Sequence, residues 1–292
     1  MFVLAHLSDP HMAQSPRLVE LASKRGLGFI NWQRGRKYIH RRETLELITR
    51  DVKAIGADHI AVTGDLVNFS LAVEYAAART WLDTLGPARD VTVIPGNHDA
   101  YVQAALGAPA RYWGEYMQGD DRTEPGTFPF VRRRGPLALI ALSSAVVTGA
   151  FMATGELGSR QLSGLADALQ KTRGMLRIVL IHHPPESAPR HRLRRLTDGA
   201  EFRQVLAAHG ADLVLHGHDH RRAITWLDGP EKTIPAVGAP SASARVAHRH
   251  ENAAGYNVFR FAVDGNSGHC EMIGRERDAQ GRVRDVARVV LS

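Results

Sequence analysis

Short apolar runs alternate with polar clusters along most of the chain. Each run has four to six residues, is rich in Leu or β-branched side chains, and is bounded by Gly or Pro. The runs span residues 2–7, 59–63, 91–95, 176–181 and 212–216. This pattern is typical of strands that are buried on both faces of a sheet.

Helical patterns lie between these runs. Residues 43–55 place their apolar side chains on one stripe, and residues 71–85 behave similarly. Helices are also predicted over 159–169, with Ser159 as N-cap, and over 198–209. Strands that alternate with helices imply βα units and a largely parallel sheet.

The last third of the chain changes character, because strands follow one another with turns such as Asp228-Gly229 between them. These strands are predicted over 223–227, 233–237, 256–263, 269–273 and 283–291. We expect them to form a second, antiparallel sheet. No linker or internal repeat divides the sequence, so a single domain over residues 1–292 is predicted.

Composition and charge narrow the class of protein. The 292 residues are 44% apolar, as in an ordinary globular protein, and no apolar run of about 18 residues predicts a transmembrane helix. The first six residues lack the features of a signal peptide. The formal net charge of +7 favours anionic partners, and phosphate esters, nucleic acid and acidic membrane surfaces all fit it.

Cys270 is the only cysteine, which excludes an intramolecular disulfide and a thiolate-rich zinc site. We interpret it as a small filler within a strand. The natural inference is a reducing, cytoplasmic location.

Each of the five apolar runs ends in a polar cluster. The clusters are Ser8-Asp9-Pro10-His11, Gly64-Asp65, Gly96-Asn97-His98-Asp99, His182-His183 and Gly217-His218-Asp219-His220. Each alone has a structural explanation, because these residue types also open turns and cap helices. Loops at the carboxyl ends of strands in an open α/β sheet converge on one crevice, however. The sequence therefore predicts that the five clusters meet.

This ordered series resembles the calcineurin-like metallophosphoesterase superfamily, and within it most closely the bacterial class III cyclic-nucleotide phosphodiesterase-like and glycerophosphodiesterase branch. The motifs span residues 9–220. The resemblance implies a four-layer α/β/β/α sandwich, in which two mixed sheets are flanked by helices and a dinuclear metal centre lies between the sheets.

The resemblance also implies seven metal ligands, with three on one ion, three on the other and one bridging both. In that order they are Asp9, His11 and His220; Asn97, His182 and His218; and Asp65. His98 is implied as the catalytic residue that faces the leaving group. In the pair His182-His183 we expect the first to be the ligand, because it directly follows the strand. Asn68, His183 and Arg194 are the candidate substrate-binding residues.

Two metal ions about 3.5–4 Å apart neutralise the charge of a phosphodiester and hold a bridging hydroxide near neutral pH. Imidazole and carboxylate ligands without thiolate suit manganese, iron or zinc. Relatives that act on phosphoproteins carry an arginine just after the Gly-Asp motif, whereas residues 66–70 here contain none.

We therefore expect hydrolysis of a small phosphodiester, such as a cyclic nucleotide or a glycerophosphodiester. One alternative is a pyrophosphatase or phosphomonoesterase that acts on a nucleotide- or lipid-linked substrate, with peripheral membrane contact. Another is a non-catalytic protein-binding scaffold. No groove-reading motif for nucleic acid is recognisable, although the charge leaves nucleic acid open.

Three basic segments remain outside the motifs. The insertion at 14–42 contains Trp32 and several cations, and it is either a flap over the substrate pocket or a solvated helix and loop. Arginines of the second segment, 132–134, are predicted to lie on a solvated turn before Gly135-Pro136. The third segment, 190–195, follows His182 closely and is predicted to meet an anionic substrate.

Overall fold

Two six-stranded mixed sheets form the framework in the computed structural model. The structure describes residues 1–17, 25–26, 29, 32–121, 123–188, 191–248, 250–264 and 267–291. Helices flank the sheets, which confirms the expected α/β class with two mixed sheets.

The first sheet combines strands from both ends of the described chain. Its strands are β1 (Phe2–Leu7), β2 (His59–Val62), β3 (Val91–Val93), β10 (Gly255–Asp264), β11 (Ser267–Arg277) and β12 (Val283–Val290). The order is β12-β11-β10-β1-β2-β3. Strand β1 pairs in parallel with β2 and antiparallel with β10, so β1 joins a parallel half to an antiparallel half.

The second sheet holds a parallel core with antiparallel edges. Its strands are β4 (Phe130–Arg134), β5 (Leu137–Ala141), β6 (Leu176–Leu180), β7 (Leu213–His216), β8 (Ile224–Leu227) and β9 (Ile234–Gly238). The order is β4-β5-β6-β7-β9-β8. Strands β5, β6, β7 and β9 are parallel to one another, and β4 and β8 pair antiparallel at the two edges.

The described helices are α1 (Lys37–Ile39), α2 (Arg42–Ile55), α3 (Ala72–Leu85), α4 (Ala108–Trp113), α5 (Gly158–Lys171) and α6 (Gly199–His209). A π-helical turn, Trp32–Arg36, precedes α1. The four predicted helices are confirmed as α2, α3, α5 and α6. Helix α5 begins at Gly158 rather than at Ser159, and the carboxylate of Asp198 accepts the Gly158 N–H at 2.8 Å.

Side chains on successive strand positions enter different cores. In β6, Ile178 and Leu180 face the core that lies between the sheets, while Val179 packs with Leu165 of α5 and Phe202 of α6. This period of two with both faces buried is what a continuous apolar run encodes.

The predicted separate antiparallel sheet is wrong. The last five strands exist, but β8 and β9 extend the second sheet, whereas β10, β11 and β12 complete the first. Strand order depends on which exposed edge each new strand meets, and turn residues between strands carry no information about that choice. Cys270 is buried within β11, as the sequence indicates.

The predicted solvated turn at 132–134 is also wrong, because these residues lie on β4. Arg132 is only 3% exposed. Its guanidinium donates to four backbone carbonyls at 2.6–2.7 Å, those of Gln118, Ala88, Val91 and Glu115. Burial, together with the charge of Arg134, lowers the pKa of Arg132 to about 10. The turn itself lies at Gly135-Pro136.

Candidate metal centre

The five polar clusters meet where the carboxyl ends of parallel strands from the two sheets lie close together. Asp9, Asp65 and Asn97 follow β1, β2 and β3, while His182 follows β6 and the 217–220 cluster follows β7. The predicted ligands are all buried, and they form two groups that we call group 1 (Asp9, His11, His220) and group 2 (Asn97, His182, His218).

Group 1 brings ring nitrogens against a carboxylate. The Nε2 atoms of His11 and His220 lie 3.0 Å apart. Asp9 Oδ1 is 3.2 Å from His220 Nε2 and 3.7 Å from His11 Nε2, and this buried oxygen has no hydrogen-bond partner among the described residues. Two nitrogens and a carboxylate oxygen that converge in this way suit a cation.

Group 2 centres on an amide oxygen. Asn97 Oδ1 lies 3.3 Å from His182 Nε2 and 3.0 Å from His218 Nδ1. Ligand atoms of His182, His218 and Asp65 lie within 4.8 Å of one another. Oxygen and imidazole donors at these separations fit a second transition-metal ion.

Asp65 stands between the two groups. Its Oδ2 is 3.9 Å from His11 Nε2 of group 1, and its Oδ1 is 3.4 Å from His182 Nε2 of group 2. Each group is therefore approached by a different oxygen of one carboxylate. This is the arrangement that a bridging ligand requires.

The backbone is strained at this centre. Among the described residues, five of the seven non-glycine positions with positive φ are predicted ligands, namely Asp9, His11, Asp65, His218 and His220. Such conformations cost about 1–3 kcal/mol each and persist where the surrounding structure enforces them. With these conformations, residues two positions apart in one loop, such as Asp9 and His11, direct their side chains into one small volume.

Three glycines allow the loops to approach closely. A Cβ on Gly96 would lie 2.2 Å from Asp65 Oδ1, and a Cβ on Gly217 would lie 2.4 Å from Asp9 Oδ2. At Gly64 the nearest side-chain atom would be His182 Nδ1, at 2.7 Å. The glycines that precede Asp65, Asn97 and His218 are thus required by contact distance.

Hydrogen bonds orient two of the imidazoles. His182 Nδ1 donates to the carbonyl of Thr63 at 2.6 Å, and His220 Nδ1 lies 3.1 Å from Glu251 Oε2. These bonds to Nδ1 leave the Nε2 atom of each ring directed toward the centre. Histidines that bind metal are commonly oriented by such a bond from the other ring nitrogen. Glu251 belongs to none of the sequence motifs, so the sequence did not predict its contact with His220.

Charges within the centre compensate one another. Burial opposes the protonated form of His182, but the carboxylate of Asp65 outweighs burial and raises the pKa of His182 to about 10. Burial also opposes the protonated form of His220, but the carboxylate of Asp9 raises its pKa to about 9. Burial favours a neutral Asp65, yet His182 and His98 hold its pKa below the usual range. The carboxylates of Asp65 and Asp9 thus create a negative potential that favours the binding of positive charge.

His98 borders Asp65 and His11. Its Nδ1 donates to the carbonyl of Asn68 at 2.7 Å, its backbone N–H donates to Asp65 Oδ1 at 2.8 Å, and its ring stacks on Tyr101. Because Nδ1 carries the proton in this bond, Nε2 is the nitrogen suited to proton exchange. A ligand atom of His98 lies within 4.8 Å of those of His11 and Asp65.

Asp99 joins two loops through its carboxylate. Its carboxylate accepts the backbone N–H groups of Val67 and Gly96 at 3.0 and 2.8 Å. Burial and the neighbouring Asp65 raise the pKa of Asp99 to about 8.

The three candidate substrate-binding residues have different surroundings. Asn68 is buried, and its Oδ1 has no hydrogen-bond partner among the described residues. The Arg194 side chain is 47% exposed and donates to the carbonyl of His218 at 3.2 Å. His183 is fully buried with Nδ1 at 2.7 Å from Ser144 Oγ and Nε2 at 3.1 Å from the Ala153 carbonyl, so it lies behind the ligands.

A cavity of about 770 Å³ opens beside His11. Its walls include Trp81 of α3 and the insertion residues Trp32, Lys37 and Arg41. The volume lies within the usual range for small-molecule sites, about 300–1,000 Å³. The insertion therefore contributes an aromatic side chain and cations to this cavity.

Part of the insertion at 14–42, including Gly28, lies outside the described residues. The side chains of Arg34 and Arg36 lie outside them as well. Arg190 of the third basic segment also lies outside them. Arg25 donates to the carbonyls of Phe69 and Ser70, which ties the insertion to the loop after Asp65.

None of the helices within the described ranges combines the length and apolar character needed to cross a membrane. The family model for calcineurin-like phosphoesterases matches residues 2–222. A search of curated protein sequences finds no match.

Solved structures with similar folds include a purple acid phosphatase, PPD1, from yellow lupin (Lupinus luteus). It superposes with a TM-score of 0.64 at 12% identity, over 99% of this chain and 53% of that chain. This chain thus spans about half the length of that phosphatase.

Two further solved structures superpose less closely. The sulfate thiohydrolase SoxB of Thermus thermophilus gives a TM-score of 0.48 at 17% identity, over 99% of this chain and 56% of that chain. The phosphoesterase YfcE of E. coli gives 0.41 at 13% identity, over the full length of both chains. At 12% identity, the likeness to the lupin phosphatase is one of fold.

Proposed function

The chain belongs to the calcineurin-like phosphoesterase family, and from that premise we propose that it hydrolyses a small phosphodiester at a dinuclear metal centre. The observation that carries the proposal is the position of Asp65, whose two carboxylate oxygens approach different groups of ligands. Group 1 would hold one ion and group 2 the other, with Asp65 shared.

When bound, two such ions would supply neutralising charge for the phosphate and would acidify a water molecule. The protein's part is to fix the ligands. Thr63 and Glu251 orient His182 and His220, and the strained loops hold the acidic groups in place. Burial excludes bulk water from the ligand atoms, which strengthens every charge interaction there.

His98 is the proposed proton donor to the leaving oxygen. Its Nδ1–H is held by the carbonyl of Asn68, so the imidazolium form would donate from Nε2. The ring is further held by stacking on Tyr101. An alkoxide is a poor leaving group, and proton transfer to it typically contributes about 10²–10⁴-fold to the rate.

The loop after Asp65 supports a diester substrate over a phosphoprotein. Leu66, Val67 and Phe69 are at most 1% exposed, so this stretch packs into the core and presents no guanidinium to a terminal phosphate. We propose that the exposed cation Arg194 and the buried amide of Asn68 contact the substrate. His183 would support the ligands from behind.

Manganese, iron and zinc are the proposed metals, because the donor set holds nitrogen and oxygen but no thiolate. The proposed partner is a small anionic phosphoester, and the net charge of +7 favours its approach. The free, buried Cys270 is consistent with the proposed reducing, cytoplasmic compartment.

The test uses metal-stripped full chain reconstituted with Mn²⁺, Fe²⁺ or Zn²⁺. Elemental analysis should give two ions per chain, and bis(p-nitrophenyl) phosphate should be hydrolysed faster than p-nitrophenyl phosphate. A panel of cyclic nucleotides, glycerophosphodiesters, nucleotide sugars, nucleic acids and monoesters then identifies the natural class.

Asp65→Asn should lose both ions and the activity, because an amide is a poor bridge between two cations. Asp167→Asn, at an exposed position on α5, is the matched control and should change neither. A single ion per chain in the wild type would contradict the dinuclear centre. A clear preference for the monoester would instead favour the phosphomonoesterase alternative.

A further inference from the structure

His40 lies beside group 1 although it belongs to none of the five polar clusters. Its ring centroid is 4.7 Å from that of His11 and 5.5 Å from that of His220, with both pairs edge to face. A ring nitrogen of His40 lies within 4.8 Å of ring nitrogens of His11 and His220. Three imidazoles thus surround one small volume.

The backbone around His40 is fixed by a short ladder. His40 forms an antiparallel bridge with Ala244, and Arg41 N–H donates to the Ser243 carbonyl at 3.0 Å. On the other side, Arg245 N–H donates to the Ile39 carbonyl at 2.8 Å. The end of the insertion is therefore attached to the segment that follows β9.

Serine hydroxyls fix the ring of His40 as well. Its Nδ1 lies 2.8 Å from Ser243 Oγ and 3.3 Å from Ser241 Oγ. Ser241 Oγ in turn donates to the backbone carbonyl of Asp9 at 2.7 Å. A partly buried hydrogen-bond path thus connects the imidazole to a group 1 residue, as is common for histidines that ligate metal.

We propose that His40 is an additional ligand of the group 1 metal ion, an inference that rests on the proposed dinuclear centre. Group 1 with Asp65 supplies four protein ligands, and His40 would supply a fifth. An octahedral ion would then keep one position for water or substrate. Group 2 with Asp65 supplies four, so the group 1 ion should be held more tightly.

Metal-free protein titrated with Co²⁺ tests the proposal, with calorimetry and visible absorption as readouts. Wild type should bind two ions in two resolved steps. His40→Ala should weaken the tighter step by at least about tenfold, the size of effect seen when metal-site partners are removed. Its Co²⁺ bands should also gain intensity, because absorption strengthens as coordination number falls.

Two further variants keep the result interpretable. His40→Asn keeps a short polar side chain next to Ser243 but cannot reach as far as an imidazole, so it should behave like His40→Ala. Tyr38→Ala, at a 59% exposed position on α1 and two residues before His40, should bind Co²⁺ like wild type.

Unchanged affinity and spectrum in both His40 variants, with two ions bound in wild type, would overturn the proposal and leave the dinuclear centre intact. Unchanged metal binding with a raised KM would also overturn it, since His40 would then contact substrate. Wild type that binds fewer than two ions would refute the dinuclear centre itself, and this inference with it.

Discussion

Replacing Gly96 by alanine should displace Asp65 from the proposed metal ions although no ligand is itself substituted. A Cβ at this position would lie 2.2 Å from Asp65 Oδ1, 2.6 Å from Asp65 N and 2.7 Å from His182 Cε1. Ordinary van der Waals contact begins near 3.4 Å, so the carboxylate must move by about 1 Å. Ligand distances in metal sites are defined to about 0.2 Å.

The expected result is loss of shared metal binding and a fall in turnover of about 10²-fold, the size of effect that a 1 Å misplacement can cause. Overpacking should also cost about 1–3 kcal/mol of unfolding free energy. Elemental analysis, turnover of bis(p-nitrophenyl) phosphate and urea denaturation measure the three effects. Gly107→Ala is the control, because a Cβ there meets nothing within 4 Å.

Gly96→Ala protein that binds two ions and turns over like wild type would refute the reasoning. It would mean that Asp65 tolerates displacement and is not a bridging ligand. Equal losses in Gly107→Ala would instead point to a general effect of alanine on these loops.

Three other predictions follow from the site and its support. His98→Ala should keep fold and metals but lower turnover of an alkyl diester by about 10²–10⁴-fold, with a clearly smaller loss on a p-nitrophenyl ester; equal loss on both would exclude proton donation. Arg132→Met should lower the unfolding free energy by about 4 kcal/mol or more, because four carbonyls lose their donor. In the same denaturant titrations, the control Arg133→Met, at an exposed position, should change it by less than about 0.5 kcal/mol. Burial raises the pKa of Glu74 from 4.5 to about 7, so the stability that protonated Glu74 contributes is lost as pH rises between these values. Glu74→Gln should remove up to about 3 kcal/mol of this pH dependence of the unfolding free energy, and an unchanged dependence would contradict the prediction.

The strands and the five clusters could be predicted because both are local. A continuous apolar run encodes a strand buried on two faces, and residues that follow parallel strands share an edge of the sheet. Asp9 and Asp65 are examples, since each follows its strand within a few residues. The helix over α2 was predictable for the same reason, because its stripe lies within one segment.

The remaining features depend on contacts between distant segments. Glu251 approaches His220 only because the segment before β10 returns across the centre, and His40 reaches group 1 only through the ladder to Ser243. Arg132 looks like a surface cation in the sequence, yet carbonyls from residues 88–118 enclose it. No local pattern marks such partners.

The pairing of β1 with β10 has a consequence for the order in which the protein can mature. Asp9 follows β1, and β1 pairs with residues about 255 positions further along the chain. During synthesis, all seven predicted ligands leave the ribosome before β10 does, so they exist for a time without the strand that completes their sheet. Long-range pairing of this kind folds slowly. Metal loading should therefore be a late event, and a ribosome-stalled chain that ends before residue 255 should not retain metal.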